Sequence, residues 1–244
     1  MQKEYGVKAY AYPMDLALPG AAGKISSWAL EKGLVISLLV NNAGFSVRGN
    51  FCAIDNKNVD TILKLNVISA TELTREVLPQ MVAKGYGRIL FVSSITGISA
   101  QPSQAVYAAT KAYLSQFCSS LRFELRYSGV QVTCLLPGAT ITGFAEISGI
   151  ENALIFKVPT LQSSAASVAE AGVNAMLAGQ SKVITGWFSH LAWFCGWMFP
   201  EDLVAWVAFI FWCNPRAAMD MLLRRDARRK MQGGNYPDYQ DQKK

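Results

Sequence analysis

The sequence is poor in charged residues and lacks the clustered ligands of a metal site. Charged side chains make up 16% of its 244 residues and apolar ones 51%, which excludes disorder for most of the chain. The five cysteines are scattered without a CxxC pair, and we interpret the lone His190 as structural or interfacial, so no metal site is predicted. The net charge of +6 does not form one long basic stripe, which argues against nucleic-acid binding.

Two further absences concern targeting and phosphate binding. The polar start, MQKEYG, shows no signal peptide, so we expect a cytoplasmic protein or one that lies peripherally on the cytosolic side of a membrane. The sequence also contains no GxGxxG or TGxxxGxG turn. Such a glycine-rich turn lets the backbone approach a pyrophosphate and directs a helix N-terminus at it.

The chain does contain a regular alternation of strand-like and helix-like segments. The predicted strands are VKAYAY, ISLLV, RILFVSS, VQVTCLLPG and KVITGWF. Helices are predicted at about 20–32, at about 58–84, around SQAVYAATKAYLSQF, and in SSAASVAEAGVNAMLAGQ, which Ser163 or Ser164 can cap. Strands that alternate with helices predict an α/β fold with a parallel sheet and right-handed crossovers.

Tyr107 and Lys111 form the most informative pair in the sequence. They lie four residues apart in a predicted helix and therefore share one of its faces. An ammonium beside a phenol lowers a phenol pKa that is about 10 when unperturbed. The tyrosine can then exchange a proton with an alcohol or a ketone near neutral pH. A surface tyrosine near a solvated lysine would show the same spacing, so this pair needs support from other motifs.

Further motifs occur in a consistent order around this pair. They are an NNAG turn at 41–44, a helix asparagine (Asn66), a strand-end serine (Ser94), and a Pro137-Gly138 turn followed by Thr142. Together with the Tyr-x-x-x-Lys pair, they resemble the short-chain dehydrogenase/reductase family. The resemblance extends from about Tyr5 to about Phe144, and more loosely beyond.

The resemblance implies a Rossmann-like, doubly wound parallel sheet and a set of four catalytic residues. Tyr107 would be the general acid or base, and Lys111 would hold down its pKa and contact the nicotinamide ribose. Ser94 would hydrogen-bond the substrate oxygen as charge develops on it, and Asn66 would hold a water that continues the proton relay. Taken singly, each of these residues could be ordinary structure, such as a turn serine or a helix asparagine.

The resemblance also implies residues that would border NAD or NADP. Besides Tyr107 and Lys111, they are Asp15, Asn42, Ala43, Gly44, Pro137, Gly138 and Thr142. Asp15 would cap the adenine site, or would instead N-cap the following helix. The Pro-Gly turn and Thr142 would line the nicotinamide carboxamide. Gly44 has a structural alternative as well, because a tight turn favours glycine.

The beginning of the chain departs from the family pattern. MQKEYGVKAYAYPMDL resembles the end of the helix after the second strand, followed by the third strand. We therefore expect an N-terminally truncated member whose first two strands and glycine-rich turn are missing. In the family's sheet the first strand lies between the second and the fourth, so this loss would leave one edge of ISLLV open, which is an aggregation hazard. We expect VKAYAY to move into the slot beside ISLLV.

The C-terminal part is unusually rich in tryptophan. The segment Trp187–Cys213 contains five of the six tryptophans, and its uncharged stretches are broken by Pro200 and by Glu201 and Asp202. A transmembrane pair is improbable, because a membrane span needs about 20 unbroken apolar residues. Two interpretations stay open and are compatible: a lid over an apolar substrate pocket, or an interfacial membrane segment with Arg224–Lys230 on anionic lipid.

These observations predict one domain and two functional hypotheses. Residues 1–186 would form the truncated Rossmann-like domain, 187–232 an apolar and then basic helical extension of it, and 233–244 a disordered tail. The leading hypothesis is an NAD(P)-dependent oxidoreductase that interconverts a carbonyl and an alcohol, on a hydrophobic or lipid-like substrate, with a homodimer as one option. The alternative is a truncated, non-catalytic protein that has lost cofactor binding and acts in membrane association or protein interaction.

Overall fold

A four-stranded parallel sheet forms the centre of the computed structural model, which describes residues 5–212. Its strands are β1 (Leu38–Asn41), β2 (Gly87–Val92), β3 (Val130–Pro137) and β6 (Lys182–Thr185), in the order β1-β2-β3-β6. A separate two-stranded parallel ribbon consists of β4 (Thr140–Ile141) and β5 (Ser163–Ser164). The predicted α/β class with a parallel sheet is confirmed.

Helices precede the first strand, connect the strands and follow the last of them. They are α1 (Ala21–Glu31), α2 (Asn56–Leu63), α3 (Ser69–Lys84), α4 (Ala105–Glu124), α5 (Phe144–Ile147), α6 (Ala165–Leu177), α7 (Trp187–Met198) and α8 (Glu201–Trp212). Short 3₁₀ turns cover Phe51–Ala53, Ile95–Ile98, Leu154–Phe156 and Pro159–Leu161. Ser164 caps α6, since its hydroxyl oxygen accepts a 3.1 Å hydrogen bond from the Ser167 N–H. Helices α7 and α8 lie within the predicted extension 187–232, whose status as a unit stays a prediction, whereas Arg224–Lys230 and the predicted tail lie outside the described residues.

Alternating strand residues place a core on each face of the sheet. On one face, Phe91 and neighbouring strand residues pack against α3 and α4, which contribute Met81 and Leu114. On the other face, Leu90 packs against Val168 of α6. Fully burying a side chain of this size stabilises the fold by about 1.5–3 kcal/mol. Because β2 and β3 are covered on both faces, their carboxyl ends are held rigidly at one edge of the sheet.

The prediction that VKAYAY forms a strand in the slot beside ISLLV is wrong. Residues 6–15 are neither helix nor strand, and within residues 5–212 the sheet neighbour of β1 is β2 alone. The aromatic rings explain where the segment goes instead. Tyr12 stacks on Trp28 of α1 at 5.0 Å between ring centroids, and Tyr10 meets the same ring edge-on at 6.3 Å. The outer edge of β1 is therefore open, and its Leu38 and Val40 side chains are 46% and 47% exposed.

Gly129 marks a close crossing between the turn before β3 and the end of α3. Its φ is +78°, and a Cβ at this position would overlap the carbonyl oxygen of Gly85. Gly33 has a similar φ of +65° but open space around it. A comparison of the two glycines therefore distinguishes the cost of a left-handed backbone, which both would incur on substitution, from the cost of steric overlap, which only Gly129 would incur.

We expect Gly129→Ala to lower the free energy of unfolding more than Gly33→Ala. The Gly33 variant should cost about 1–2 kcal/mol, because it places a side chain in the left-handed region. The Gly129 variant should add about 1–3 kcal/mol of overpacking to that cost. Urea unfolding of both variants measures the difference, and equal losses would contradict the close crossing.

Candidate active site

The carboxyl ends of β1, β2 and β3 bring three predicted motifs to one edge of the sheet. β1 pairs with β2 and β2 with β3, all in parallel, so the segments that follow them are neighbours. These segments are the NNAG turn, the serine pair Ser93-Ser94, and the Pro137-Gly138 turn. In open α/β sheets this edge is where ligands bind.

Ser94, Tyr107 and Lys111 meet at this edge. Tyr107 and Lys111 project from one face of α4, and both are buried. The Tyr107 phenol is hydrogen-bonded to the Ser94 side chain. The Lys111 ammonium lies 5.6 Å from the centroid of the Tyr107 ring and donates a 2.8 Å hydrogen bond to the Val92 carbonyl, at the end of β2. Three of the four predicted catalytic residues therefore lie in one cluster, in which Tyr107 is the central member and contacts Ser94 on one side and Lys111 on the other.

Two hydroxyl networks fix the serine pair. The Ser94 hydroxyl oxygen accepts hydrogen bonds from the Thr96 hydroxyl at 2.9 Å and from the Thr96 N–H at 3.2 Å, which starts the 3₁₀ turn. The Ser93 hydroxyl donates a 2.7 Å bond to the Lys111 carbonyl and so ties β2 to α4. Because consecutive strand residues face opposite ways, one serine braces the helix while the other stays with Tyr107.

Asn66 holds the loop that follows β1. It lies in a single π-helical turn, Lys64–Ile68, between α2 and α3, a feature that is frequent at functional sites. Its amide nitrogen donates to the Phe45 carbonyl and to the Thr110 hydroxyl, both at 3.0 Å, and its amide oxygen accepts from the Phe45 N–H at 2.8 Å. Both amide hydrogens are thus used within the protein. Asn66 acts here as a clamp on the loop, and the predicted water relay through it stays a prediction.

Gly44 allows the clamped loop to approach the lysine closely. A Cβ on Gly44 would lie 3.4 Å from the Lys111 ammonium and 3.5 Å from the Asn66 amide oxygen. One of the three donors of the ammonium goes to the Val92 carbonyl. The Gly44 backbone therefore lies next to the ammonium and the Asn66 amide, and two donors of the ammonium are not used by the hydrogen bond to Val92.

Burial dominates the electrostatics of the pair. It raises the pKa of Tyr107 to about 12, against the opposing effect of the Ser94 hydrogen bond. It lowers the pKa of Lys111 to about 8, and the nearby Cys134 opposes this shift. Burial is the largest influence on the Tyr107 pKa, so the expectation that Lys111 holds this pKa down stays a prediction. The ammonium itself donates its hydrogen bond to the Val92 carbonyl. At neutral pH the phenol is protonated and can donate a hydrogen bond.

The Pro-Gly turn and Thr142 connect the site to later elements. Pro137 ends β3 beside Thr185, and Gly138 packs so closely on Ser189 of α7 that a side chain there would overlap the serine hydroxyl. Thr142 is exposed, and its hydroxyl accepts a 3.2 Å bond from the Phe144 N–H. The Phe144 ring in turn lies 5.6 Å from the Tyr107 ring, so Thr142 is linked to the site through Phe144.

The remaining predicted cofactor residues are exposed. The Asp15 carboxylate accepts a 2.9 Å hydrogen bond from the Ala17 N–H, whereas α1 is N-capped by Gly20. The alternative role of Asp15 as the N-cap of that helix is therefore wrong, and its role at an adenine site stays a prediction. Asn42 and Ala43 lie on the surface just after β1.

Sequence reasoning missed Thr96, Thr110 and Phe144. Thr96 follows the Ser-x-Thr pattern of a local turn, and Thr110 directly precedes Lys111, so both could have been suspected from proximity alone. Thr110 also donates to the Tyr107 carbonyl at 2.7 Å, which places its oxygen where Asn66 can reach it. Phe144 carries no local signal, because its contact with Tyr107 depends on the course of the chain after β3.

Comparison with known proteins identifies the family. The family model for short chain dehydrogenases matches residues 1–150. The chain belongs to the short-chain dehydrogenase family. A ketoacyl reductase, HetN, of Nostoc sp. is 31% identical over 173 residues, which cover 70% of this chain and 60% of that protein. A very-long-chain 3-oxoacyl-CoA reductase-like protein of Arabidopsis thaliana is 30% identical over 204 residues, 81% of this chain and 62% of that protein.

Solved structures of short-chain dehydrogenases share the fold. A short-chain dehydrogenase from Sphingobium yanoikuyae in complex with NADPH superimposes with a TM-score of 0.68 at 27% identity, over 75% of this chain and 70% of that one. The present chain spans about 60% of the length of the curated relatives described above. The Rossmann-like assignment made from the motifs is thereby confirmed.

The burial of Lys111 predicts a distinctive pH dependence of stability. A folded-state pKa of about 8, against 10.5 in the unfolded chain, means that between these pH values the unfolded state binds a proton that the native state lacks. The wild-type protein should therefore gain free energy of unfolding, relative to Lys111→Met, as the pH rises from about 8 to about 10.5, by on the order of 3 kcal/mol. Urea unfolding across this range tests the prediction, and parallel pH profiles for the two proteins would refute it.

Proposed function

We propose that this protein is an NAD(P)-dependent oxidoreductase that interconverts a carbonyl and an alcohol. The observation that carries the proposal is the buried contact of Tyr107 with Ser94, beside the Lys111 ammonium. A phenol that is both protonated at neutral pH and held by a hydroxyl suits the donation of a proton to a carbonyl oxygen. When bound, NAD(P) supplies the hydride.

Each residue of the cluster has a separable task. Tyr107 gives its proton to the substrate oxygen in reduction or takes it back in oxidation. Ser94 donates a hydrogen bond to the same oxygen as negative charge develops, which is most valuable where water is excluded. Lys111, with the backbone of Gly44, would hold the ribose next to the nicotinamide. Asn66 is a positioning residue, since it keeps the loop of Gly44 against Lys111 through Phe45.

A hydrophobic or lipid-like substrate is part of the proposal. The support from the structure is the Phe144 ring, which lies 5.6 Å from the Tyr107 ring and places an apolar side chain beside the phenol. Two relatives described above are a ketoacyl reductase and a 3-oxoacyl-CoA reductase-like protein, which supports a ketone on an acyl chain. We therefore propose 3-oxoacyl thioesters as the first substrate class to test.

Nucleotide binding separates this proposal from the non-catalytic alternative. The lack of a glycine-rich turn in the 244 residues favours weak binding of a pyrophosphate, whereas the Lys111 ammonium beside Gly44 favours binding of the nicotinamide ribose. Titration of the chain with NADH and NADPH, by fluorescence or calorimetry, measures the sum of both effects. Micromolar dissociation constants that weaken in Lys111→Met would support the enzyme. Millimolar or absent binding would support the alternative.

Replacing the phenol should abolish turnover without unfolding the protein. Tyr107→Phe should reduce the rate of ketone reduction by about 10²–10⁴-fold, because it removes the proton donor. Tyr113→Phe is the matched control: it lies on the same helix, and its hydroxyl contacts Thr71 at 3.1 Å rather than the site. The control should retain wild-type rates, and thermal unfolding should confirm both folds. Turnover of Tyr107→Phe within about tenfold of wild type would contradict the assignment.

A further inference from the structure

The helices α7 and α8, called here the C-terminal hairpin, expose an unusual amount of apolar surface. Trp187, Trp197 and Trp206 are 60%, 78% and 50% exposed, and Phe194 and Phe199 add to the same unit. Singly exposed apolar residues are ordinary on a protein surface. A concentration of large aromatic residues on one two-helix unit is not, and it indicates an interaction surface.

The hairpin has a packed side as well as an open one. The Phe188 ring lies 5.1 Å from Phe211, and the Trp212 ring 6.2 Å from Phe156, so these residues join the helices to each other and to the domain. The indole N–H of Trp187 donates a 2.8 Å bond to the Thr160 carbonyl. These contacts orient the hairpin, so its exposed tryptophans do not reflect a detached segment.

Both helices of the hairpin, as described, are shorter than a bilayer core. Each helix has 12 residues, which corresponds to a length of about 18 Å. A bilayer core is about 30 Å thick. Within residues 5–212, no helix combines the length and the apolar character that crossing a membrane requires. An apolar unit of this size can instead lie in the plane of the membrane interface, where tryptophan is enriched.

Charge distinguishes a membrane surface from a second copy of the chain. Glu201 and Asp202, the two acidic residues of the hairpin, are adjacent at the start of α8, where a helix N-terminus favours them. The sequence Arg224–Lys230, RRDARRK, follows shortly after α8 and carries five cations against one carboxylate. A second copy of the chain would carry the same cationic sequence and would repel it. Anionic lipid would instead attract this sequence.

We propose that the C-terminal hairpin docks this protein on the surface of a bilayer containing anionic lipid. The exposed tryptophans of α7 and α8 enter the headgroup region, and Arg224–Lys230 contacts the lipid phosphates and carboxylates. This docking is independent of nucleotide binding and of hydride transfer, so it can hold whether or not the chain is an active oxidoreductase.

Vesicle binding by the full 244-residue chain tests the proposal. Sedimentation with phosphatidylcholine vesicles, with and without phosphatidylserine, measures the partition coefficient, and a blue shift of tryptophan fluorescence reports insertion. We expect binding that phosphatidylserine strengthens and that added salt weakens. The double variant Trp197→Ser, Trp206→Ser should reduce the partition coefficient by more than about tenfold. Replacing four arginines of the basic segment, Arg224, Arg225, Arg228 and Arg229, by Gln should remove the preference for phosphatidylserine.

A matched variant controls for general loss of surface aromatics. Phe123→Ser, Tyr127→Ser removes two exposed aromatic residues near the end of α4, outside the hairpin, and should bind vesicles like the wild type. Melting curves by circular dichroism verify that both double variants are folded. Wild-type binding by the Trp197, Trp206 variant would overturn the proposal. The proposal would also be overturned if the wild-type chain did not bind anionic vesicles. A dimer that the tryptophan replacements dissociate, in a chain that does not bind vesicles, would assign the surface to a second copy instead.

Discussion

The burial of Lys111 is the constraint around which the site is organised. A buried ammonium is costly unless it is hydrogen-bonded, and the Val92 carbonyl at the end of β2 provides that bond. The Ser93 hydroxyl donates a hydrogen bond to the backbone carbonyl of the same lysine. Asn66 holds the loop after β1, which keeps Gly44 close to the ammonium. The buried lysine therefore contacts three parts of the fold: the end of β2, its own helix α4 and the loop after β1.

The same burial sets the direction in which the pKa values of Tyr107 and Lys111 shift. Water exclusion disfavours the charged form of both partners, so the pKa of Tyr107 rises while that of Lys111 falls. An exposed pair with this spacing would behave in the opposite way, with the ammonium promoting the phenolate. Here the phenol keeps its proton at neutral pH, and the hydrogen bond with Ser94 only partly offsets the effect of burial on its pKa.

Local signals predicted the parts of this structure that depend on short-range order. The strand before Ser94 and the Tyr107–Lys111 spacing were predictable because apolar runs and helical periodicity act within a few residues. The prediction of a strand at VKAYAY failed because a strand also needs a partner strand. Here Tyr12 packs on Trp28 of α1 instead of pairing with the open sheet edge. The π turn at Asn66 could not be predicted either, since it depends on Phe45 and Thr110, which reach the amide from distant elements.

The C-terminal hairpin packs against the same segments that carry the candidate active site. Ser189 of α7 packs on Gly138 at the end of β3, and Gly196 lies 3.8 Å, measured from a Cβ placed on it, from the Ile98 carbonyl in the turn that follows Ser94. Glycine is one partner in each contact, so α7 approaches closely both the end of β3 and the 3₁₀ turn that follows β2. A larger residue at Gly138 would have to displace α7. The exposed apolar surface of α7 and α8 is thereby built against the edge of the sheet that carries the candidate site.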